Sequence, residues 1–170
     1  LLYLTASLEF AERPLSDFNF KVLNRPASGD IVLVEIDAES IAKIGVWPWP
    51  RRMHAEVLDR LIAADARRVA FDVDFSAAAT VAADDARFAM ALERAKGRVA
   101  LPVFRQRASS SAHATKLVDA LPLKEFRAAA DLVALNVYPS SDGLIRALYL
   151  SDRVGTERHA TLAAWLAGRG

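Results

Sequence analysis

The feature that most constrains the fold is the stretch over residues 30–51, where an apolar run leads into an acid, a short amphipathic segment and two Trp-Pro pairs. Residues 31–36 have strand length and are rich in β-branched side chains, so they predict a buried strand. Proline lacks a backbone N–H and restricts the residue before it, so residues 47–50 continue neither a strand nor a helix. The stretch therefore predicts a strand, a short helix and a rigid aromatic connector, in that order.

Size and charge narrow the class of protein. A chain of 170 residues that is 53% hydrophobic predicts one well-packed domain with an appendage. Its 22 basic and 21 acidic side chains nearly cancel, so we expect no nucleic-acid partner. The absence of cysteine excludes disulfides and thiolate sites but leaves the compartment open. No apolar stretch is as long as a membrane span, and we expect the sequence to be a soluble piece of a longer protein.

The N-terminal segment carries apolar residues at alternating spacings of three and four, which predicts a helix with a packing seam. Pro14 would kink or restart that helix. The helix either lies on its own domain or packs against a partner, and we expect it to span residues 1–24, followed by an α/β domain over residues 25–170. The seam consists of Leu1, Leu4, Leu8, Ala11, Leu15, Phe18 and Val22.

Strand and helix patterns alternate through the middle of the chain, which predicts an α/β fold with a mostly parallel central sheet and helices on both faces. A turn signal over residues 139–143 between two strand-like runs predicts a closing β-hairpin. The expected strands are 31–36, 69–75, 99–103, 132–138 and 144–150. One expected helix lies between Asp37 and Gly45, a second begins at Pro50, and two more cover 84–96 and 159–167. A polar loop is expected over 105–114.

Three acids fall at or just beyond the carboxyl ends of predicted parallel strands, the edge where open α/β sheets bind ligands. Asp72 and Asp74 are two residues apart on one strand, so they share a face and can jointly hold a cation or a ligand amine. The alternative for Asp37 and Asp84 is helix N-capping, which needs no ligand. For Asp72 and Asp74 the alternative is a solvent-facing strand end or an ion pair with a nearby arginine such as Arg51.

The aromatic connector and the helix after it supply the remaining candidates. Trp47 and Trp49 can line a ligand pocket or simply cover the sheet edge with apolar area. Arg51 starts a helix, whose dipole favours anions there, so we expect it to meet a carboxylate of the protein or of a ligand. His54 we interpret as a packing residue. The candidate ligand-binding residues are Asp37, Trp47, Trp49, Arg51, Asp72 and Asp74.

No motif in the sequence predicts catalysis. A glycine-rich phosphate loop, a metal-binding histidine motif and a Ser-His-Asp arrangement are all missing from the sequence. We therefore predict no catalytic residue, no metal site and no cofactor. The alternative is a metal-dependent hydrolase that uses the acids at the strand ends.

Several uncommon pieces of sequence occur in a fixed order, and together they resemble the type-two CHASE domain, a bacterial extracytoplasmic sensory family. The resemblance covers about residues 1–168, and its most specific part is the Trp-Pro-Trp-Pro-Arg run. The pieces are Val34-Glu35-Ile36-Asp37, Gly45-Val46-Trp47-Pro48-Trp49-Pro50-Arg51, His54-Ala55, Leu61, Ala66, Phe71-Asp72, Asp84-Asp85, Asn136 and Asp142-Gly143-Leu144-Ile145-Arg146.

The resemblance implies a periplasmic sensor domain without catalytic activity. In that family the domain sits between transmembrane helices that lead to a cytoplasmic histidine kinase, nucleotide cyclase, diguanylate cyclase or phosphodiesterase. We therefore expect a membrane-embedded parent protein, an unknown small-molecule or protein signal, and a homodimer formed through the N-terminal helix. A third hypothesis is a scaffold that assembles membrane proteins without a small ligand.

Overall fold

The computed structural model describes residues 17–19, 22–23, 26–107 and 117–168. The chain divides into two compact units, residues 1–41 and residues 42–170. In the first unit residues 17–19 are helical, and the Leu23 amide donates to the Asn19 carbonyl at 2.8 Å. Most of the predicted seam over residues 1–22 lies outside the described residues, so the long N-terminal helix stays a prediction.

The predicted strand over residues 31–36 is wrong. These residues belong to none of the described strands, and Ile31, Val32 and Leu33 are 75–81% exposed. A β-branched run favours an extended chain, but a strand also requires a neighbour with which to exchange backbone hydrogen bonds. The helix after it forms as predicted: helix α1 (Ala38–Ile44) ends at Gly45, whose φ of +78° suits glycine.

The second unit contains a mixed, mostly parallel sheet, which confirms the predicted α/β class. Its strand order is β1-β2-β4-β6-β5; the first four of these run parallel, β5 is antiparallel to β6, and β3 pairs antiparallel with β2. The strands are β1 (Val69–Ala70), β2 (Val99–Arg107), β3 (Leu117–Ala120), β4 (Asp131–Ala134), β5 (Ser151–Val154) and β6 (Glu157–Thr161).

Helices cover both faces of the sheet, as predicted. Val99 and Leu101 of β2 belong to the larger core cluster together with residues of two long helices, whereas Ala100 packs with Trp165 in a different cluster. Successive side chains of a strand point to opposite faces, so this split marks the two layers. The helices of the second unit are α2 (Arg51–Ala63), α3 (Ala82–Arg94), α4 (Lys124–Arg127) and α5 (Leu162–Leu166).

The closing hairpin forms later in the chain than predicted. Around residues 139–143 a turn does form, since the Ser140 amide donates to the Leu144 carbonyl at 2.9 Å, but residues 144–150 are not a strand. The antiparallel pair is β5 and β6 instead, joined by a tight turn in which Gly155 has a φ of +64°. Residues 159–161 are therefore strand rather than helix, and α5 begins only after Thr161, whose hydroxyl accepts from the Ala164 amide.

Two further boundaries differ from the prediction. Only the first two residues of the expected strand 69–75 pair with a neighbour, although the Phe71 amide still donates to the Ala100 carbonyl at 3.1 Å. The expected loop 105–114 is strand as far as Arg107, and its remainder lies outside the described residues. Helix α3 begins and ends two residues earlier than the predicted 84–96, and Gly97 lies in the turn after it with a φ of +80°.

An aromatic cluster fills the layer between the sheet and the helices α2 and α3. Phe71, Phe75, Phe88 and Phe126 are each at most 8% exposed, and neighbouring ring centroids lie 4.8–6.3 Å apart. Aromatic pairs at such separations stabilise a core beyond the area they bury. The cluster fixes the segment that follows β1 against both helices.

Candidate functional site

The predicted acid pair lies on the segment that follows β1. Along residues 71–75 the side chains alternate, with Phe71 and Phe75 buried and Asp72 and Asp74 exposed. The Asp74 carboxylate accepts from the Ser76 amide at 2.8 Å, a local turn contact. Asp72 forms no hydrogen bond or ion pair with any residue in the described ranges.

Asp37, in the first unit, caps α1. Its Oδ1 accepts from the Ser40 amide at 2.8 Å, so the capping alternative is confirmed. The hydrogen bonds from Ser40 lower the pKa of the Asp37 carboxyl below its usual value. Its side chain is exposed.

Arg51 is the buried anchor of the second unit. It is the first residue of α2 and only 7% exposed. Its Nη2 donates to the carbonyls of Ala77 at 3.1 Å and Asp74 at 3.4 Å, and its guanidinium carbon lies 4.7 Å from the Phe75 ring centroid. The expected carboxylate partner is Asp85, whose Oδ1 lies 3.7 Å from Arg51 Nε. Burial lowers the pKa of Arg51, an effect that Asp85 and then Asp74 oppose.

Two buried acids sit in the first turn of α3, where the helix dipole favours negative charge. The capping alternative for Asp84 does not hold, because Val81 occupies the cap position and the Asp84 carboxylate accepts from Arg52 Nη1 at 2.8 Å. Asp85 Oδ2 accepts from the Ala79 amide at 2.8 Å. The first turns of α2 and α3 are thus joined by two Arg–Asp contacts.

The two tryptophans of the Trp-Pro connector, residues 47–50, have different environments. Trp49 is 8% exposed and covers part of the core, whereas Trp47 leaves 51% of its surface to solvent. The Trp49 ring centroid lies 6.0 Å from that of His54. Trp49 therefore fits the alternative in which the connector covers apolar area of the protein. Trp47 is exposed and remains available for contact with a ligand.

His54 is more deeply buried than a generic packing residue. It is 2% exposed, and its ring centroid lies 5.4–6.2 Å from those of Phe71, Phe75 and Phe88. Burial, and after it the charge of Arg51, lowers the pKa of His54 from 6.5 to about 4. His54 is therefore neutral at neutral pH.

Four buried polar atoms around Trp49 lack hydrogen-bond partners among the described residues: Trp49 Nε1, Arg51 Nε, His54 Nε2 and Asp85 Oδ1. We call these four side chains the Trp49 polar cluster. Arg51 Nε and Asp85 Oδ1 face each other as an ion pair at 3.7 Å, so Trp49 Nε1 and His54 Nε2 are the two of these atoms with neither a hydrogen bond nor an ion pair among the described residues. Leaving such an atom unmatched in a core costs about 1–3 kcal/mol. His54 packs in the core, as predicted. Its neighbourhood with Arg51 and the pairing of Asp85 with Arg51 were not predicted; the three-residue spacing of Arg51 and His54 on one helix was the available signal.

Comparison with known proteins identifies the family. A family model described as the CHASE2 domain matches residues 1–169. The chain belongs to the CHASE2 family. CHASE2 domains are extracytoplasmic sensory, non-catalytic domains of signalling proteins, so the resemblance noted in the sequence is confirmed at that level. Neither the search of curated proteins nor the search of solved structures returned a match.

A second polar network, which the sequence analysis missed, joins the carboxyl ends of β2 and β4 in this CHASE2 domain. The Asn136 side chain donates to the Arg105 carbonyl and accepts from the Arg105 amide, both at 3.0 Å. Arg105 Nε donates to Asp119 Oδ1 at 2.7 Å, and the Tyr138 hydroxyl donates to Asp152 at 2.6 Å. The hydrogen bond to Asp152 raises the pKa of Tyr138. Each of these contacts links one element to another, which is a structural role.

The Asp-Gly-Leu-Ile-Arg piece near the end of the CHASE2 domain stabilises its own turn. Arg146 lies 2.7 Å from the Asp142 carboxylate, which also accepts from the Leu144 amide at 3.2 Å. These hydrogen bonds, that from Arg146 first, hold the pKa of Asp142 well below its usual range. Gly143 adopts a φ of +81°, which few other residues tolerate.

A surface cavity of about 340 Å³ lies at the amino ends of the strands. The polar side chains that line it already form hydrogen bonds within the protein. Trp165 Nε1 donates to Asp131 at 2.8 Å, and Arg68 donates to the carbonyls of Trp165 and Leu166. The guanidinium of Arg68 also lies 5.1 Å from the Trp165 ring centroid. The cavity is lined by Arg68, Asp131, Leu132, Ala160, Trp165 and Gly168.

The hydrolase alternative gains no support from the structure. Within the described ranges no three histidine or carboxylate side chains converge to hold a metal ion. A search of the same ranges found no helix with the length and apolar character of a membrane span.

Proposed function

We propose that this CHASE2 domain is the periplasmic sensor of a membrane-bound bacterial signalling protein and that it passes ligand state to a cytoplasmic kinase or cyclase module. The family match over residues 1–169 carries this proposal. A ligand changes an output only when it binds two conformations of the sensor with different affinity. The signal is a small molecule or a protein, and the membrane-embedded parent carries the output.

The proposed ligand surface combines exposed and buried residues of the second unit. Asp72 supports a binding role because its exposed carboxylate has no protein partner in the described ranges. Trp47 supports one because half of its large ring faces solvent. Asp74 lies two residues from Asp72, and Trp49 and Arg51 complete the proposed set. Asp37, in the first unit, stays a separate candidate because its carboxylate is exposed, although it also caps α1.

Residues 1–24 are proposed to form a signalling helix that pairs with the same helix of a second copy. The support is the spacing of its apolar residues, which is typical of helices that pack along their length. Small displacements of paired helices would then reach paired output modules. Sedimentation velocity of the protein with and without residues 1–24 tests this: a monomer in both cases contradicts it.

A thermal-melt screen tests the sensor proposal. A compound that binds the folded form raises the melting temperature, and the rise grows with the logarithm of its concentration once that exceeds the dissociation constant. The panel comprises metal ions, amino acids, sugars, nucleotides and organic acids. We expect at least one compound to give a concentration-dependent rise, and we expect Asp72→Asn to weaken that response while leaving the melting temperature without ligand unchanged.

The matched control is Glu125→Gln, which removes another exposed carboxylate. It should leave the response intact. If Asp72→Asn failed to fold, the assignment of Asp72 to ligand binding would be contradicted, because a carboxylate without a protein partner should not contribute to the stability of the fold. A panel without any shift would favour a scaffold or a protein signal over a small-molecule sensor.

A further inference from the structure

We propose that His54 makes the domain sensitive to acid: its protonation loosens the first turn of α2, residues 51–54. This inference deepens the proposed function, on which it rests, because it adds protons to the signals that the CHASE2 domain detects. His54 is 2% exposed, and its Nε2 has no hydrogen-bond partner among the described residues. In a protonated ring both nitrogens carry a hydrogen, so Nε2 would hold a buried N–H without an acceptor.

The surroundings of His54 suit a neutral ring. Four aromatic side chains surround it, with ring centroids 5.4–6.2 Å from its own: Trp49, Phe71, Phe75 and Phe88. Within the described ranges no carboxylate forms an ion pair with His54. A charge that is buried without a partner is strongly unfavourable, so the packed state excludes the protonated form.

The charged groups near His54 do not offset this cost. Arg51, three residues earlier on the same helix, is itself buried. Burial lowers the pKa of His54 most, and the charge of Arg51 lowers it further, to about 4. The carboxylates on the neighbouring elements already have partners: Arg51 for Asp85, Arg52 for Asp84, and the Ser76 amide for Asp74.

The first turn of α2 is the part of the helix that a further positive charge would disrupt. The helix dipole is positive at this end, yet the turn contains Arg51 and Arg52 and no acidic residue. Pro50 occupies the N-cap and provides no side-chain hydrogen bond to the turn. Protonated His54 would be a third cation there. Its repulsion acts on Arg51, which anchors the turn to two carbonyls of the segment after β1.

Protons bind the opened turn more tightly than the packed one, which is the requirement for a signal. The pKa of His54 is 6.5 when exposed and about 4 when buried, so the opened turn binds a proton about 300-fold more tightly. Opening is therefore independent of His54 above pH 6.5 and becomes easier as the pH falls from 6.5 to 4. Between pH 7.5 and 4.5 the opening equilibrium should rise about 70-fold through His54 alone.

Hydrogen exchange of the 170-residue protein at pH 7.5, 6.5, 5.5 and 4.5 tests this, with each rate divided by that of an unstructured peptide at the same pH. We expect the protection of the amides of residues 54–58 to fall about 70-fold more in the wild type than in His54→Gln, because glutamine does not titrate. The amides of residues 99–103 in β2 should stay better protected than those of α2 throughout, because the opening is local.

The matched control is His159→Gln, because His159 is a buried histidine on another element, β6. It should keep the full loss of protection in α2. A second measurement does not depend on how well a variant folds: the chemical shift of the His54 ring, assigned through the backbone in the wild type, should report a pKa near 4.

Three results would overturn the proposal. One is a His54 ring that titrates near 6.5, and another is an equal loss of protection in the wild type and His54→Gln. The third is that α2 and β2 lose protection together, because acid would then only unfold the whole domain.

These results remain distinct from a failure of the sensor proposal. If a compound alters the output of the parent protein while acid leaves α2 packed, the sensor proposal stands and the role of His54 falls. If acid opens α2 but neither acid nor any compound alters that output, the acid-sensitive turn stands and the sensor proposal falls.

Discussion

At the scale of single residues, Arg51 and Arg52 show how position on a helix decides the role of a side chain. Both begin α2, yet Arg51 is buried against Phe75 and bonded to two carbonyls, whereas the Arg52 side chain is 49% exposed. A partly exposed ion pair contributes little because water screens it. The buried guanidinium contributes more, because its loss leaves carbonyls without donors.

We therefore predict that Arg51→Lys lowers the free energy of unfolding by about 2–3 kcal/mol, since an ammonium cannot reproduce the planar, forked contact. Arg52→Lys is the matched control and should change it by less than about 0.5 kcal/mol. Urea unfolding followed by circular dichroism measures both values. Equal effects of the two substitutions would contradict the anchoring role of Arg51.

His54 predicts a pH dependence of stability. Its pKa is about 4 in the folded protein and 6.5 when exposed, so the unfolded chain binds the proton more tightly. The stability that neutral His54 contributes is full above pH 6.5 and declines as the pH falls from 6.5 to 4. The total loss from this group is about 3 kcal/mol.

Urea unfolding at pH 7.5, 6.5, 5.5 and 4.5 measures this decline, and His54→Gln isolates it. The difference in unfolding free energy between the wild type and the variant should shrink as the pH falls, because glutamine does not titrate. The other two histidines titrate in both proteins and cancel in this difference. A difference that stays constant across the series would contradict the buried, neutral state of His54.

At the scale of elements, α3 packs one apolar face on the sheet and exposes the other. Phe88 is fully buried among aromatic rings, whereas Met90, two residues later, is 57% exposed. A helix turns by about 100° per residue, so residues two apart lie on nearly opposite faces. The packing of α3 therefore depends on a small number of positions.

Phe88→Ala should lower the free energy of unfolding by about 3–5 kcal/mol, because it removes a fully buried ring and leaves a cavity. Met90→Ala on the same helix should change it by no more than about 0.5 kcal/mol. Thermal unfolding followed by circular dichroism compares the two. If Phe88→Ala lowered the free energy of unfolding by much less than this, the surrounding side chains would have moved into the cavity that the ring leaves, which would contradict the prediction.

Elements with strong local signals were predictable from the sequence. The helices α2 and α3 have long apolar faces, and α1 and α3 have glycine stops, so their positions needed only short-range information. Residues 31–36 were not predictable in the same way, because their apolar pattern indicates a preference for extended backbone but does not show whether a neighbouring strand is present to pair with. β6 was missed because its sequence is polar, although Gly155 gave a turn signal just before it.

The site was predictable only in part. The sequence indicated Trp49 and Arg51 from the connector, and it indicated a carboxylate partner for Arg51. It did not indicate that this partner is Asp85, because a contact across 34 positions depends on how α2 and α3 pack. Unmatched polar atoms are likewise a property of packing, so the Trp49 polar cluster emerges only from the structure.

At the scale of the whole molecule, the account is that a CHASE2 sensor domain couples ligand binding to a distant output. The second unit has a mostly parallel sheet, two helices whose first turns are joined by two Arg–Asp contacts, and a connector whose Trp49 is buried beside His54. A sensor also requires a second conformation that the ligand binds with different affinity.

The most direct test of this account is the output activity of the full-length parent protein in reconstituted membranes, measured against the concentration of a compound that raises the melting temperature of the 170-residue domain. The account predicts that output changes over the concentration range in which the domain saturates, and that Asp72→Asn displaces both curves together. An output that stays constant while the domain is saturated would contradict the account.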